Sequence, residues 1–320
     1  MLRKSDAYLQ PADYYNPAPI NFQSSSNTHA NGSDNILICH ERDNTIRWRP
    51  GDRLHHLFEQ RVDEFKKEQN NRHLAIDCLE GQWSYQALDE RANQVARYLK
   101  LQNLGDGDVI GLLFDKSVYS YIAMLAVLKI HAAYVPLDPI FPENRISYIA
   151  NDASLKSILT LSQFEMLALE ADTSILCLDK LSKEIDTLAK SRLDETETGQ
   201  ASSELCYIIY TSGSTGQPKG VPINQASICN FVRVAAEVYG YQCADRVYQG
   251  LTIAFDFAVE EIWVPLIVGA TLLPNQTGNS LLGSDLATFL LENKATALCC
   301  VPTLLASILS TIKNTRLCPQ

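Results

Sequence analysis

Residues 205–220 read LCYIIYTSGSTGQPKG, an apolar run that passes directly into a loop of glycines and hydroxyl side chains. The apolar part, from Leu205 to Tyr210, predicts a buried strand. Glycines in the following loop let backbone N–H groups approach an anion closely, and successive N–H groups form a concave cationic surface. A phosphate-binding loop therefore explains this stretch better than a flexible surface loop, because the loop begins at a buried strand.

The side chains of this loop supply the donors that phosphate oxygens need. Lys219 contributes a point charge. Hydroxyl groups that can donate to phosphate oxygens are present at Thr211, Ser212, Ser214 and Thr215. The loop is not a Walker A motif, in which a lysine is followed by Ser or Thr and a helix begins. Here Pro218 precedes the lysine and Gly220 follows it, so we expect the chain to leave the loop in an extended conformation.

The rest of the chain alternates amphipathic segments with short apolar runs. Helices are predicted near 52–65, 85–101 and 117–130, from about 143, and at 162–171, and strands at 74–79, 83–85, 109–114, 133–135, 157–159 and 174–178. This order is typical of βαβ units. We therefore predict an α/β fold with a mostly parallel sheet that is covered by helices on both faces.

Two polar stretches interrupt this alternation. Residues 1–45 are rich in Ser, Asn, Pro and Tyr and show no hydrophobic period, which predicts a flexible N-terminal tail before a domain at 46–320. Residues 183–203 are polar and acidic, which predicts a surface excursion before the phosphate loop.

Composition excludes several classes of function. With 27 Lys and Arg against 37 Asp and Glu, the formal net charge is −10, which argues against a nucleic-acid-binding protein and against adsorption to an anionic membrane. The stretch at 121–128 is too short to span a bilayer, and no secretory signal follows the N-terminus. A cytoplasmic protein is the expectation.

Nine cysteines occur at irregular spacings, without a CxxC pair. An odd number in this arrangement predicts free, mostly buried thiols in a reducing compartment and no metal site. Cys299 and Cys300 lie in an apolar run at 297–301, which we predict to be a strand whose thiols pack in the core.

Four elements, in this order along the chain, resemble the adenylate-forming (AMP-binding) superfamily of acyl-CoA synthetases, luciferases and the adenylation domains of nonribosomal peptide synthetases. They are WSYQAL at 83–88, LKIHAAYVPLDP at 128–139, YTSGSTGQPKG at 210–220 and the pair Phe255 and Asp256. The amino-acid adenylation domains are the most similar branch, and the resemblance covers about residues 50–320. It departs at Ile130 and His131, where relatives carry small residues, and at Gln225, where many carry His.

The resemblance implies a ligase that joins an amino acid to ATP, releases pyrophosphate and passes the aminoacyl group to a thiol. The implied partner is a phosphopantetheinyl carrier protein or a downstream synthetase module. By carry-over, the ATP phosphates, with Mg²⁺ bridging them, would be held by Thr211, Ser212, Gly213, Ser214, Thr215, Gly216 and Lys219. Within this set the resemblance implies catalytic roles for Thr211 and Lys219 and a contact of Thr211 with Mg²⁺.

The implied substrate pocket is formed by Phe255, Asp256, Phe257 and Glu260. Asp256 would bind the α-ammonium group, because a carboxylate among apolar side chains needs a cation. The alternative is that it caps the helix beginning near Phe257. Glu260 would share a helix face with Asp256 and suit a basic side chain such as lysine, ornithine or diaminobutyrate. The alternative is that Glu260 or Glu261 is a solvated helix residue.

The later parts implied by the family do not occur before Gln320. They are the adenine-stacking segment, the ribose-binding aspartate, the hinge and the C-terminal domain with its lysine. We therefore expect the N-terminal part of a large adenylation subdomain, incomplete at its C-terminus and weakly active or inactive alone. Two alternatives stay open: an acyl-CoA synthetase-like ligase that uses fatty or aryl acids, and an inactive truncated nucleotide-binding fragment.

Overall fold

The structure, a computed structural model, describes residues 48–49, 51–212, 217–278 and 280–312, without the side chains of 311 and 312. The predicted tail at 1–45 lies outside these ranges, as do four residues of the phosphate loop, Gly213, Ser214, Thr215 and Gly216.

Helices and strands alternate through most of the described chain. The helices are α1 (Leu54–Lys67), α2 (Tyr85–Leu101), α3 (Val118–Lys129), α4 (Glu143–Asp152), α5 (Ser182–Asp186), α6 (Glu195–Thr198), α7 (Gln225–Tyr239), α8 (Ala258–Val268), α9 (Gly283–Glu292) and α10 (Pro302–Ile312). The strands are β1 (Leu74–Cys78), β2 (Gly81–Ser84), β3 (Val109–Leu113), β4 (Ala133–Leu137), β5 (Ser157–Thr160), β6 (Ser174–Cys177), β7 (Leu205–Ser212), β8 (Pro218–Asn224), β9 (Arg246–Gln249), β10 (Thr271–Pro274) and β11 (Ala297–Leu298).

The strands form two sheets. Six strands are ordered β6-β5-β3-β4-β7-β8, and five are ordered β11-β9-β10-β1-β2. Neighbouring strands in both sheets are parallel, except in the pairs β7–β8 and β1–β2, which are antiparallel. The predicted α/β fold with mostly parallel sheets covered by helices is confirmed.

The core that holds the two sheets together is built around α3. This helix is apolar on all sides, and its residues from Ser120 to Lys129 are all buried, as expected for a helix without a solvent face. One cluster of buried side chains contains residues of α3, of β3 and β4 in the first sheet, and of β1 and β10 in the second. Strand β7, which leads into the phosphate loop, contributes Cys206, Tyr207 and Ile209 to the same cluster.

Three predictions about local structure need correction. The segment at 162–171 is a 3-10 helix at Ser162–Ala168. The strand predicted at 297–301 is only two residues long, because β11 pairs with β9 at Ala297 and Leu298 and no further; Cys299 and Cys300 follow it and are half-buried. Of the seven described cysteines, all free, only Cys177, Cys206 and Cys229 are buried, so the prediction of mostly buried thiols is wrong for this part of the chain.

The excursion at 183–203 is largely exposed, as predicted, but it contains part of α5 and all of α6. None of the helices in the described part of the chain combines the length and the apolar composition needed to cross a bilayer.

Candidate functional site

The two strands that flank the phosphate loop form an antiparallel hairpin. Thr211 of β7 pairs with Lys219 of β8, and Ser212 pairs with Pro218. The extended exit from the loop, which Pro218 predicted, is confirmed, and β7 continues two residues beyond its predicted end at Tyr210. Thr211, Ser212 and Lys219 are all exposed. The hairpin therefore presents two hydroxyl groups and one ammonium group at the base of the loop.

Packing against α4 fixes the position of this hairpin. Tyr210 Oη donates a hydrogen bond to Asp152 Oδ2 at 2.6 Å, and Tyr148 Oη donates to Pro218 O at 3.3 Å. The Tyr210 ring lies across Gly220, where an added Cβ would stand 3.0 Å from Tyr210 Cζ and from Ile208 Cγ2. A larger residue at position 220 would require the side chains of Ile208 and Tyr210 on the opposite strand to shift.

A cleft of about 360 Å³ lies between the hairpin, α7 and the start of α8. Its lining is formed by Tyr207, Ile223, Ser227, Ile228, Phe231, Asp256, Phe257, Val259 and Glu260. The structure thus brings together three of the four predicted substrate-binding residues, Asp256, Phe257 and Glu260. Phe255 does not line this cleft, and its side chain is 46% exposed.

The cleft and the phosphate loop share one face of the hairpin. Tyr207 pairs with Ile223 in the cleft wall, and Thr211 pairs with Lys219 four residues further along. Because side chains alternate between the two faces of a strand, residues four apart point to the same side, at a spacing of roughly 14 Å. A ligand with a phosphate group at one end and an apolar or charged group at the other fits this arrangement.

Asp256 lies at the mouth of the cleft and is exposed. Its Oδ1 accepts the N–H of the next residue, Phe257, at 2.8 Å. Helix α8 begins at Ala258 and has no side-chain cap, so the helix-cap alternative does not describe this aspartate. Its carboxylate is available to a cation in the cleft.

Glu260 lies in a polar cluster that sequence reasoning did not find. Tyr239 Oη donates a hydrogen bond to Glu260 Oε2, and burial together with this bond raises the pKa of Tyr239. Cys299 interacts with Tyr241, and burial, followed by the charge of Glu260, raises the pKa of the Cys299 thiol to about 11. These residues lie on separate elements, so no spacing in the sequence indicates that they meet.

Glu261 is buried. The alternative that Glu261 is a solvated helix residue is therefore wrong. Its side chain accepts hydrogen bonds from the N–H groups of Gly250 and Leu251, at 3.1 and 2.9 Å, and from Gln249 Nε2 at 3.2 Å. Burial raises the pKa of Glu261 to about 7. The residue ties the segment after β9 to α8, and this segment leads directly to Asp256.

The wall formed by Tyr207 is supported from behind by Tyr134. The two rings stack with their centroids 5.4 Å apart, and Trp263 Nε1 donates a hydrogen bond to Tyr134 Oη at 3.3 Å. Tyr134 belongs to the LKIHAAYVPLDP element at 128–139. That element therefore shapes the cleft indirectly, through packing.

Known proteins resemble this chain in sequence. A family model described as AMP-binding enzyme matches residues 62–317. Bacitracin synthase 3 of Bacillus licheniformis is 34% identical over 264 residues, which are 82% of this chain and 4% of that protein. A linear gramicidin synthase of Brevibacillus parabrevis is 36% identical over 255 residues, which are 80% of this chain and 5% of that protein. The chain thus spans only a small part, 4% and 5%, of the length of these two relatives.

Solved structures resemble it in fold. VinN superimposes with a TM-score of 0.72 at 22% identity, over 84% of this chain and 66% of that chain. The holo form of AB3403, a four-domain nonribosomal peptide synthetase bound to AMP and glycine, superimposes with a TM-score of 0.67 at 27% identity, over 81% of this chain and 18% of that one.

Proposed function

Because this chain belongs to the family of AMP-binding enzymes, we propose that it activates an amino acid with ATP as the aminoacyl-AMP, in the manner of nonribosomal peptide synthetases. The observation that carries the proposal is the single hairpin face shared by the Thr211–Lys219 pair and by the cleft that contains Asp256. An acyl adenylate has its phosphate and its acyl group on opposite sides of one anhydride bond, so both ends need contacts along one surface.

At the nucleotide end, Lys219 and the hydroxyl groups of Thr211 and Ser212 bind the phosphates of ATP. These groups neutralise part of the negative charge on the phosphate oxygens, so the substrate carboxylate can attack the α-phosphate in line. Pyrophosphate is the leaving group. Roles for Gly213, Ser214, Thr215 and Gly216 belong to the same proposal, although these residues lie outside the described part of the chain.

Mg²⁺ fits the chemistry of this hairpin end. The ion prefers hard oxygen ligands and is usually held by substrate phosphates, waters and only one or two protein oxygens. The exposed hydroxyl of Thr211 is such an oxygen. When bound, Mg²⁺ neutralises part of the charge on the phosphates.

At the amino-acid end, Asp256 binds the α-ammonium group and Glu260 binds a basic side chain. Tyr239 donates to one oxygen of Glu260, which leaves the second oxygen for an ammonium group of the substrate. Apolar walls formed by Phe231 and Phe257 contact the methylene groups in between. Lysine, ornithine and diaminobutyrate have this combination of groups.

The wider setting is part of the same proposal. Residues 46–320 belong to an adenylation domain that follows a tail at 1–45, and the aminoacyl group passes to the thiol of a phosphopantetheinyl carrier. The seven described cysteines form no disulfides, which supports the proposal that the protein acts in the cytoplasm.

ATP–pyrophosphate exchange tests the reaction, measured on the complete gene product that contains this segment with a panel of amino, aryl and fatty acids. We expect exchange with an amino acid and a loss of at least about 100-fold in Lys219→Ala, since one preorganised donor to a reacting oxyanion contributes a factor of about 10²–10³. The exposed Lys156→Ala is the matched control. Exchange that depends on fatty or aryl acids, or an unaffected Lys219→Ala, would contradict the proposal.

The side-chain preference is tested separately. Glu260→Gln should lower kcat/KM for the basic substrate by about 10- to 100-fold, since a charged hydrogen bond contributes about 1.5–3 kcal/mol. The same variant should change exchange with a neutral amino acid little. A wild-type preference for an apolar amino acid would refute the role of Glu260 and leave the adenylation reaction standing.

A further inference from the structure

Asp256 stands near the end of an irregular segment, residues 250–257, that joins β9 to α8. The later part of this segment is tied to the helix. Phe255 O accepts the N–H of Ala258 at 3.0 Å. Asp256 O accepts the N–H of Val259 at 3.1 Å. The position of Asp256 therefore depends on what holds the other end, where the segment leaves β9.

Glu261 of α8 holds that other end. The N–H groups of Gly250 and Leu251 both donate to its Oε2, at 3.1 and 2.9 Å. Gln249 Nε2 donates to the same oxygen at 3.2 Å. Because a hydrogen bond prefers a nearly linear N–H···O arrangement, two consecutive N–H groups that share one acceptor leave the chain little freedom. Glu261 thus determines the direction in which the segment leaves β9.

The core in turn holds Gln249. This residue is completely buried, and its Oε1 accepts the hydroxyl of Tyr121 from α3 at 3.0 Å. Its backbone oxygen accepts the N–H of Asn275, which follows β10, at 2.8 Å. Polar side chains that bond one another inside a core rigidify it when they are satisfied. The anchor at Glu261 is therefore connected with the helix around which the core is built.

Glu260 and Glu261 are consecutive on α8 and point in different directions. Successive residues of an α-helix are about 100° apart around its axis. Glu260 lines the cleft, whereas Glu261 does not line it and is only 2% exposed. An effect of Glu261 on a ligand in the cleft must therefore pass through the segment that carries Asp256.

Packing alone does not account for a carboxyl group at position 261. An apolar side chain would fill a buried site without the cost of desolvating a charge. That cost is present here, since burial raises the pKa of Glu261 to about 7. The charge of half-buried Lys116, which precedes α3, offsets part of it. What the carboxyl group adds over an apolar residue is its hydrogen bonds to the segment.

We propose that Glu261 is a positioning residue for the substrate amino acid, which holds Asp256 at the mouth of the cleft by fixing the start of the segment 250–257. This inference rests on the proposed function, in which Asp256 binds the α-ammonium group. The nucleotide end is separate, because Thr211 and Lys219 lie on the β7–β8 hairpin. Loss of Glu261 therefore weakens binding of the amino acid and leaves binding of ATP unchanged.

Hydrogen–deuterium exchange of the complete gene product tests the positioning without any substrate. In Glu261→Met, which keeps the size of the side chain and removes the acceptor, deuterium uptake within 250–257 should be at least about tenfold faster than in the wild type. Uptake in β7 and β8 should not change. Glu261→Ala, whose smaller side chain admits water to the unpaired N–H groups, is the second variant and has the same expected result. Glu261→Gln should retain the wild-type rate, because its amide oxygen remains an acceptor.

Thr160→Val is the matched control. It also removes a buried hydrogen bond to the backbone, from Thr160 Oγ1 to Leu113 O at 2.8 Å, but neither residue belongs to the cleft or to the segment. Deuterium uptake within 250–257 should stay at the wild-type rate in this variant.

ATP–pyrophosphate exchange tests the consequence for binding. In Glu261→Met, the KM for the amino acid should rise at least about tenfold, the low end of what hydrogen bonds to a charged group contribute. The KM for ATP should stay at the wild-type value. Glu261→Gln and Thr160→Val should keep both KM values, whereas a general loss of structure would raise the two together.

The proposal is overturned if 250–257 takes up deuterium at the wild-type rate in both Glu261→Met and Glu261→Ala, if Glu261→Gln behaves as they do, or if the two KM values rise together. Failure of the proposed function is recognised separately, by a wild type that shows no pyrophosphate exchange with any amino acid. Deuterium uptake then still decides whether Glu261 holds the segment.

Discussion

At the scale of single residues, the backbone at position 131 favours glycine over the histidine that is present. The chain turns from α3 into β4 through a residue with φ of +62°. In this region Cβ crowds the following carbonyl oxygen, at a cost of about 1–2 kcal/mol for a residue other than glycine. His131 therefore stores strain that its half-buried imidazole does not offset through any hydrogen bond at Nδ1 within the described structure.

Two substitutions at this position separate strain from side-chain loss. We expect His131→Gly to exceed His131→Ala in free energy of unfolding by about 1 kcal/mol, because both remove the imidazole and only glycine relieves the strain. Urea denaturation in phosphate-free buffer measures the difference. Equal stability of the two variants would show that position 131 relaxes out of the left-handed region without cost.

At the scale of elements, a buried ion-pair network joins three helices. Lys129, at the end of α3, contacts Glu59 of α1 and Asp89 of α2, and its side chain is only 3% exposed. Arg192, from the excursion before β7, bonds Asp89 at 3.1 Å and Asp63 at 2.9 Å. The network thus connects the excursion with the helices that cover the sheets.

Removal of the central cation should be costly. We expect Lys129→Met to lower the free energy of unfolding by about 3–5 kcal/mol, because it leaves two carboxylates buried with too little positive charge. Lys129→Met combined with Asp89→Leu should recover most of this loss. Urea denaturation of the double-mutant cycle measures both effects, and Lys180→Met, at an exposed pair with Glu165, is the control that should change little. If Lys129→Met were as stable as the wild type, water would have to reach and solvate the carboxylates of Glu59 and Asp89.

Elements whose own residues determine them were predictable from the sequence. Helix α2 spans Tyr85–Leu101 as expected, because its apolar residues recur every three or four positions and Ser84 caps it by accepting the N–H of Ala87 at 3.1 Å. The extended exit from the phosphate loop was predictable for the same reason, since Pro218 directly precedes Lys219 in the sequence.

Features that arise from contacts between distant segments could not be predicted. Seven residues at Ser162–Ala168 are too few for periodicity to separate a 3-10 helix from an α-helix. Glu261 was expected as a possible solvated helix residue, yet the turn after β9 surrounds it with donors from an element ten residues away in the chain. Likewise, only the packing of α7, α8 and the end of β11 brings Tyr239 and Cys299 to Glu260.

At the scale of the whole molecule, one core connects the two sheets, so the described domain should unfold cooperatively. Side chains of α1, α3, α8 and strands of both sheets belong to a single cluster. His55 lies on α1 and Glu261 on α8, and both are almost fully buried. Their protonation in the folded and unfolded states therefore enters the same global unfolding equilibrium.

These two residues make stability depend on pH in opposite directions. Burial lowers the pKa of His55 well below 6.5, so the unfolded chain binds its proton first and stability falls as the pH decreases through 6.5. Burial raises the pKa of Glu261 from 4.5 to about 7, so the folded chain binds its proton first. The contribution of Glu261 is therefore complete below pH 4.5 and is lost as the pH rises through 7.

Glu261→Gln isolates the second effect, because the amide does not titrate and still accepts the backbone N–H groups of Gly250 and Leu251. Relative to this variant, the wild type should gain up to about 3 kcal/mol of unfolding free energy as the pH falls from 7 to 4.5, at about 1.4 kcal/mol per pKa unit. Urea denaturation at pH 7, 6 and 5 measures the difference, with a constant m-value as the check that the same surface unfolds. A difference independent of pH would mean that Glu261 stays ionised in the fold, held as a carboxylate by its three donors.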